Sequence, residues 1–134
     1  MAEQRPLPEI DGLARAFWSG AVEGKLLIQH CRGCDDYQFY PRPACLSCRS
    51  NDVEMVEASG RGKIYSFTVI YRGPYEDIPA PYVVALVNLD EGVRLLSAIV
   101  NCDPATLRCD MPVRVTFAPL RDGIVLPVFE PIPR

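Results

Sequence analysis

CRGCDDYQFYPRPACLSC, residues 31–48, decides how this chain is built. It holds two Cys-x-x-Cys pairs, Cys31/Cys34 and Cys45/Cys48, separated by ten residues. Each pair turns two sulfurs to one side of a tight loop, and two such loops facing each other make a tetrahedron of thiolates. A four-cysteine set is closed and leaves no position for water or substrate, so it points to a structural ion. Zinc suits it. Tetrahedral sulfur suits iron as well, and iron would make the chain a rubredoxin-like electron carrier. Disulfides are the other reading, but two adjacent oxidised pairs fit poorly with an opening, MAEQRPLPEI, that has no apolar export signal. The short interval predicts a compact ribbon with a central hairpin over residues 37–43. Gly33 is expected to supply a positive φ inside the first knuckle, and Pro41 and Pro43 to stiffen the approach to the second.

The chain has 134 residues, enough for one modest core and a small satellite module. No stretch is apolar over the length of a membrane span. Cys102 and Cys109 match no ligand spacing and read as small apolar side chains, free and reduced. Together these features give the expectation of a reducing, cytoplasmic setting. The net charge is −3, and four thiolates around a divalent ion make it more negative. That balance argues against nucleic acid as the main partner. Arg32, Arg42, Arg49, Arg61 and Lys63 form a local basic group that either offsets the thiolates or binds an anion. His30, the only histidine, reads as a strand residue rather than a fifth ligand.

Outward from the knuckles, residues 10–24 carry helical spacing, with Ile10, Leu13, Phe17 and Ala21 on one stripe and Ala14 and Trp18 beside it. Asp11 sits where a carboxylate suits the helix dipole, and Gly20 and Gly24 mark the end. Residues 1–8 read as a flexible tail. KLLIQH (25–30) feeds the first knuckle, residues 37–40 return from it, and residues 51–58 lead away. Five strands follow: KIYSFTVIY (63–71), YVVALVNL (82–89), VRLLSAIV (93–100), VRVTFAPL (113–120) and IVLPVFEP (124–131). In the first, Tyr65, Phe67, Val69 and Tyr71 alternate with Ile64, Ser66, Thr68 and Ile70. Turns are expected at Asp90-Glu91-Gly92 and Arg121-Asp122-Gly123, with one helical turn over residues 104–108. Five strands with a helical insertion after the third is the order of an OB-fold, a Greek-key barrel. The fold class is therefore mainly β, with an N-terminal tail and helix (1–24), a zinc ribbon (25–58) and a five-stranded OB-fold barrel (59–134).

The stretches FWSGAVEGKLLIQHCRGC, YPRPACLSC, SGRGKIYSFTVIYR, PYVVALVNLDEGVRLLSAIVNCDP and MPVRVTF together resemble a family that joins an N-terminal helix, a rubredoxin-like zinc ribbon and a C-terminal OB-fold. The family was long catalogued as a domain of unknown function. Its members serve as small partners of thiolase-like subunits that make or cleave carbon–carbon bonds in CoA thioesters, by thiolytic or retro-aldol reactions. The resemblance implies zinc on Cys31, Cys34, Cys45 and Cys48. It also implies a hetero-oligomer whose catalytic groups belong to the larger subunit. No catalytic residue of the family maps onto this chain, and no HExxH, Walker or GxGxxG sequence is present.

For a CoA thioester near a shared interface, Arg32 and Arg42 are candidates to pair with phosphates. Tyr37, Phe39 and Tyr40, or the loop RGPYEDIPAP (72–81), are candidates to line a channel for the apolar arm. A single-strand nucleic-acid binder is the competing reading, because OB-folds and aromatic strands occur in that role.

Overall fold

The computed structural model describes residues 4–10, 12–73 and 75–132. After a 3-10 turn (Gly12–Ala14) comes a short helix α1 (Arg15–Val22), then β1 (Leu27–Cys31), β2 (Tyr37–Gln38) and β3 (Val53–Glu57), and then β4 (Arg61–Ile70), β5 (Tyr82–Leu89), β6 (Arg94–Ile99), β7 (Pro112–Pro119) and β8 (Val125–Pro131). The first three strands make an antiparallel sheet in the order β2-β1-β3. The other five close a barrel in the order β4-β5-β6-β8-β7, joined between β6 and β8 by a parallel contact at Ile99 and Phe129. This is the mainly β, five-stranded architecture expected. Among the described residues no helix is long and apolar enough to cross a membrane.

The helix is shorter than residues 10–24, and its buried stripe is Ala14, Phe17 and Ala21, with Gly20. Ile10 and Leu13, expected on that stripe, are 39% and 48% exposed. Asp11 lies outside the described residues. Gly20 does not mark a frayed end. It is buried inside α1 where a side chain would overlap Leu27, so the helix seats directly on the start of β1. The stop comes at Gly24, whose φ of 77° is left-handed. Lys25 N–H donates to the Gly20 carbonyl at 2.8 Å and Gly24 N–H to that of Ala21 at 3.0 Å, the paired bonds of a Schellman cap.

One apolar core runs through all parts of the chain. Ile64, Val83, Val87, Val113 and Phe129 fill the barrel. Phe17 from α1, with Leu26 and Ile28 at the base of the ribbon, belongs to the same cluster. Of the tail expected over residues 1–8, residues 1–3 lie outside the described residues, and Arg5 is tied to Asp77, its backbone N–H donating to Asp77 Oδ1 at 3.1 Å.

Strand β4 departs from simple alternation. Its register with β5 slips between Ile64 and Ser66, a β-bulge. The bulge turns Ile64 inward and Tyr65 out, then lets Phe67 and Val69 face the core. Tyr65, expected with Phe67, instead lies under the Arg94 guanidinium, 3.6 Å from its ring centroid. YVVALVNL buries Val83, Ala85, Val87 and Leu89, while Val84 and Leu86 stay half-buried on the outer face. The helical insertion is a single 3-10 turn, Pro104–Thr106, capped by the Asp103 carboxylate at 3.0 Å from Ala105 N. Leu107 beyond it is buried in the shared core.

Gly62 passes so close to β5 that a methyl group would overlap the Asn88 carbonyl. Gly62→Ala is therefore expected to cost about 1–3 kcal/mol in chemical denaturation. Glu130 accepts from Asn101 at 2.7 Å and from Arg114, its cross-strand partner, at 2.8 Å, and these bonds hold its carboxyl below the usual carboxylate range. A depressed pKa adds stability above the unfolded value, about 4.3, that is lost as pH falls through the folded one. Denaturation of Glu130→Gln across acid pH should show a shallower decline than the parent.

Candidate metal centre and the aromatic face beside it

The first knuckle follows β1 and the second lies in the connection from β2 to β3. In each, the residue after the second cysteine closes the turn: Asp35 N–H donates to the Cys31 carbonyl at 2.8 Å and Arg49 N–H to that of Cys45 at 3.0 Å. Both residues take φ of 65°. The left-handed position is thus one residue past each knuckle, not at Gly33. A side chain at Gly33 would only touch Ser50 and Cys31 at ordinary distances, so nothing there requires glycine.

These turns bring the four Sγ atoms within 4.8 Å of one another, with Cys31 and Cys48 at 3.5 Å and Cys34 and Cys45 at 3.5 Å. Four sulfurs held tetrahedrally at about 2.3 Å from one ion stand roughly 3.8 Å apart. The donor set therefore fits a metal ion. All six cysteines are free of disulfides. Cys45 is drawn toward its thiolate form. The Cys48 backbone N–H, and after it that of Ser47, draw its thiol down to about 6 against the effect of burial. Cys34 moves the other way. The Asp36 backbone N–H favours its thiolate, but burial and hydrogen bonds with Cys45, Cys48 and Cys31 outweigh it and push the thiol up to about 12. Four thiols this close ionise together only around a cation, which is why binding such an ion releases protons.

His30 is not in the sulfur cluster. Its Nε2 lies 2.6 Å from Asp35 and its Nδ1 3.0 Å from Glu54, and those two bonds raise its pKa. Arg32 forks onto Asp52 and Glu54 at 3.0 and 3.1 Å. Two glutamines with no motif to single them out tie the ribbon together. Gln29, only 4% exposed, donates to the Arg42 carbonyl at 2.8 Å and accepts from the Arg42 N–H at 3.0 Å. Gln38, its cross-strand partner, bonds to Gln29, to the Ala44 carbonyl and to the Leu46 N–H. The signal lay in the paired positions of two amides flanking the knuckles, legible only once the register is known.

Beside the ribbon lies an aromatic face. Phe17 packs against Trp18, Phe39 and Tyr40 with ring centroids 5.0, 5.4 and 6.5 Å away. Phe17, Trp18, Phe39 and Tyr40 line a hollow of about 360 Å³ against β6 and β8. A second hollow, about 670 Å³, lies between the loop carrying Asp77 and Ile78 and the strands β5, β6 and β8. The structure thus brings Phe39 and Tyr40 to a cavity wall. Tyr37 instead stacks on His30 at 4.9 Å, and neither Arg32 nor Arg42 lines either hollow among the described residues.

Comparison with known proteins agrees with this architecture. Residues 18–54 match the family model described as the ChsH2 rubredoxin-like zinc ribbon domain, and residues 55–118 match the ChsH2 C-terminal OB-fold domain. A probable enoyl-CoA hydratase alpha subunit of Thermomonospora curvata is 39% identical over 95% of this chain, which spans 40% of that protein's length. The benzoylsuccinyl-CoA thiolase subunit BbsA of Thauera aromatica is 32% identical over 92% of this chain and 90% of its own. A chain in the solved structure of the Ltp2-ChsH2(DUF35) aldolase superposes with a TM-score of 0.87 at 36% identity, over 93% of this chain and 98% of that one.

Cys45→Ser should lose bound metal, measured by elemental analysis, while amide NMR signals of the barrel persist. Gln29→Ala, which strands the Arg42 backbone groups, is expected to cost about 1–3 kcal/mol in denaturant titration.

Proposed function

The chain belongs to the family that joins a rubredoxin-like zinc ribbon to a C-terminal OB-fold, and on that premise we propose that it is the non-catalytic accessory subunit of a thiolase-like complex acting on CoA thioesters. The ion on Cys31, Cys34, Cys45 and Cys48 is zinc, which supplies a structural clamp. The single observation that carries the reading is the pairing of a saturated sulfur site with an open apolar face. The four thiolates leave no position for a reacting group, whereas the hollow lined by Phe39 and Tyr40 of the ribbon offers shape and apolar surface. The relatives named as a CoA thiolase subunit and an aldolase component support the partner class. A thiolate metal site together with Cys102 and Cys109 outside any disulfide supports a reducing cytoplasm.

In this reading the larger subunit makes or cleaves the carbon–carbon bond. This chain shapes the entrance, with Phe39 and Tyr40 beside the apolar arm of the thioester. Arg42 and Arg32 lie near its phosphates, and Tyr37 braces the ribbon strand through His30. Arg32 already serves Asp52 and Glu54, so the larger share of phosphate contact falls to Arg42. The purified chain should be colourless with one zinc per chain; a coloured iron protein would contradict the reading. Co-expression with the thiolase-like subunit should yield a stable hetero-oligomer on size exclusion. In that assembly, Arg32→Ala with Arg42→Ala should weaken CoA-thioester binding by at least about tenfold, the loss of a single charge-assisted pair worth about 1.5 kcal/mol. Unchanged affinity in calorimetry would remove both arginines from the site.

A further inference from the structure

The sulfur cluster is more than a set of four equal ligands. Cys31 Sγ stands 3.5 Å from Cys48 Sγ, and Cys34 Sγ stands 3.5 Å from Cys45 Sγ. Each contact crosses from one knuckle to the other. Each also joins a buried cysteine to an exposed one, because Cys31 and Cys45 are buried while Cys34 and Cys48 are open to solvent. An ion held by four thiolates is closed to further ligands. Two of those sulfurs can nevertheless be reached from outside by a small oxidant. A sulfur–sulfur bond is about 2 Å long, so either contact becomes a disulfide with a movement of about 1.5 Å. The bonds that close the knuckles, Asp35 N–H to the Cys31 carbonyl and Arg49 N–H to that of Cys45, do not involve the sulfurs.

We propose that the four cysteines form a reversible redox clamp, in which a peroxide exchanges the ion for two disulfides, Cys31–Cys48 and Cys34–Cys45. The exposed thiolate of each pair attacks one peroxide oxygen. The O–O bond breaks, the sulfur becomes a sulfenic acid, and the other oxygen takes up a proton and leaves as water. The buried thiolate then attacks the sulfenic sulfur. The S–O bond breaks and, with a second proton, a second water leaves. Each disulfide thus takes two electrons from sulfur and consumes one peroxide, and the ion departs with the loss of its thiolates. Bonds across the knuckles tie the two loops together as the ion does, so the ribbon stays ordered while the site loses its negative charge. Disulfides within each knuckle would leave the loops untied. A dithiol reductant with fresh zinc reverses the exchange. The inference rests on the thiolate site of the accessory-subunit reading, yet the sulfur pairing is read on this chain without any partner.

The test uses the full-length chain carrying Cys102→Ser and Cys109→Ser, so that only the ribbon thiols react. Zinc content is measured first and bears on the zinc reading by itself; the sulfur links are then mapped whatever that content is. Hydrogen peroxide is added with 4-(2-pyridylazo)resorcinol present to report freed zinc. Trypsin after Arg32 and chymotrypsin after Tyr40 and Leu46 place the four cysteines on separate peptides for mass spectrometry. Trypsin after Arg94 and Arg108 isolates Cys102 and Cys109 as well, so the parent chain serves if the double variant misfolds. Peroxide should abolish all four ribbon thiols, release the bound zinc, and link Cys31 with Cys48 and Cys34 with Cys45. Hydrogen-exchange protection over residues 35–48 should survive this oxidation, and dithiothreitol with zinc should return thiols and metal together. Links within a knuckle, zinc release without a sulfur link, or thiols that peroxide leaves unchanged would overturn the proposal.

Discussion

Four sulfurs drawn to within 4.8 Å of one another are the constraint on which the ribbon depends. Their thiolates repel, and backbone N–H groups of Asp36, Ser47, Cys48 and Ser50 offset part of the charge. A cation at the centre removes the repulsion and fixes both knuckles at once. Structural zinc in small ribbons contributes about 10–16 kcal/mol of apparent binding energy. That is ample to order the knuckle segments, whose two ribbon strands pair over only two residues, Tyr37 and Gln38.

The ribbon is held differently at its two ends. Its tip is held by the sulfur cluster and the Gln29–Gln38 amides. Its base is held by apolar contact, with Ile28 fully buried and Leu26 and Phe17 in the barrel's own core. The aromatic face lies between these two anchors. Phe39 and Tyr40 leave the ribbon and meet Phe17 and Trp18 on the helix, so the position of the hollow is set by both anchors together. This links the metal to function without giving it a reacting role.

Much of this was legible in the residues. The two Cys-x-x-Cys pairs gave the cluster, and alternating apolar strands with turns at Gly92 and Gly123 gave the five barrel strands. What was not legible came from contacts between distant segments. The Tyr65 bulge depends on pairing with β5. The buried stripe of α1 was misplaced at Ile10 and Leu13 because periodicity alone does not show where the barrel ends and solvent begins. Gly20 reads as a helix breaker until Leu27 is seen against it. The positive φ at Asp35 and Arg49 falls on residues that carry no glycine to announce it. Within the site, Phe39 and Tyr40 reach the hollow, whereas the pairing of Arg32 with Asp52 and Glu54 required the register of β1 with β3.

Hydrogen exchange measured by mass spectrometry, with the metal bound and after chelation, addresses the central claim most directly. The account predicts that residues 35–48 lose protection when the ion is removed, while the strands holding Ile64, Val87 and Phe129 keep theirs. A ribbon that stays protected without metal would show that the sulfur cluster is not what orders it.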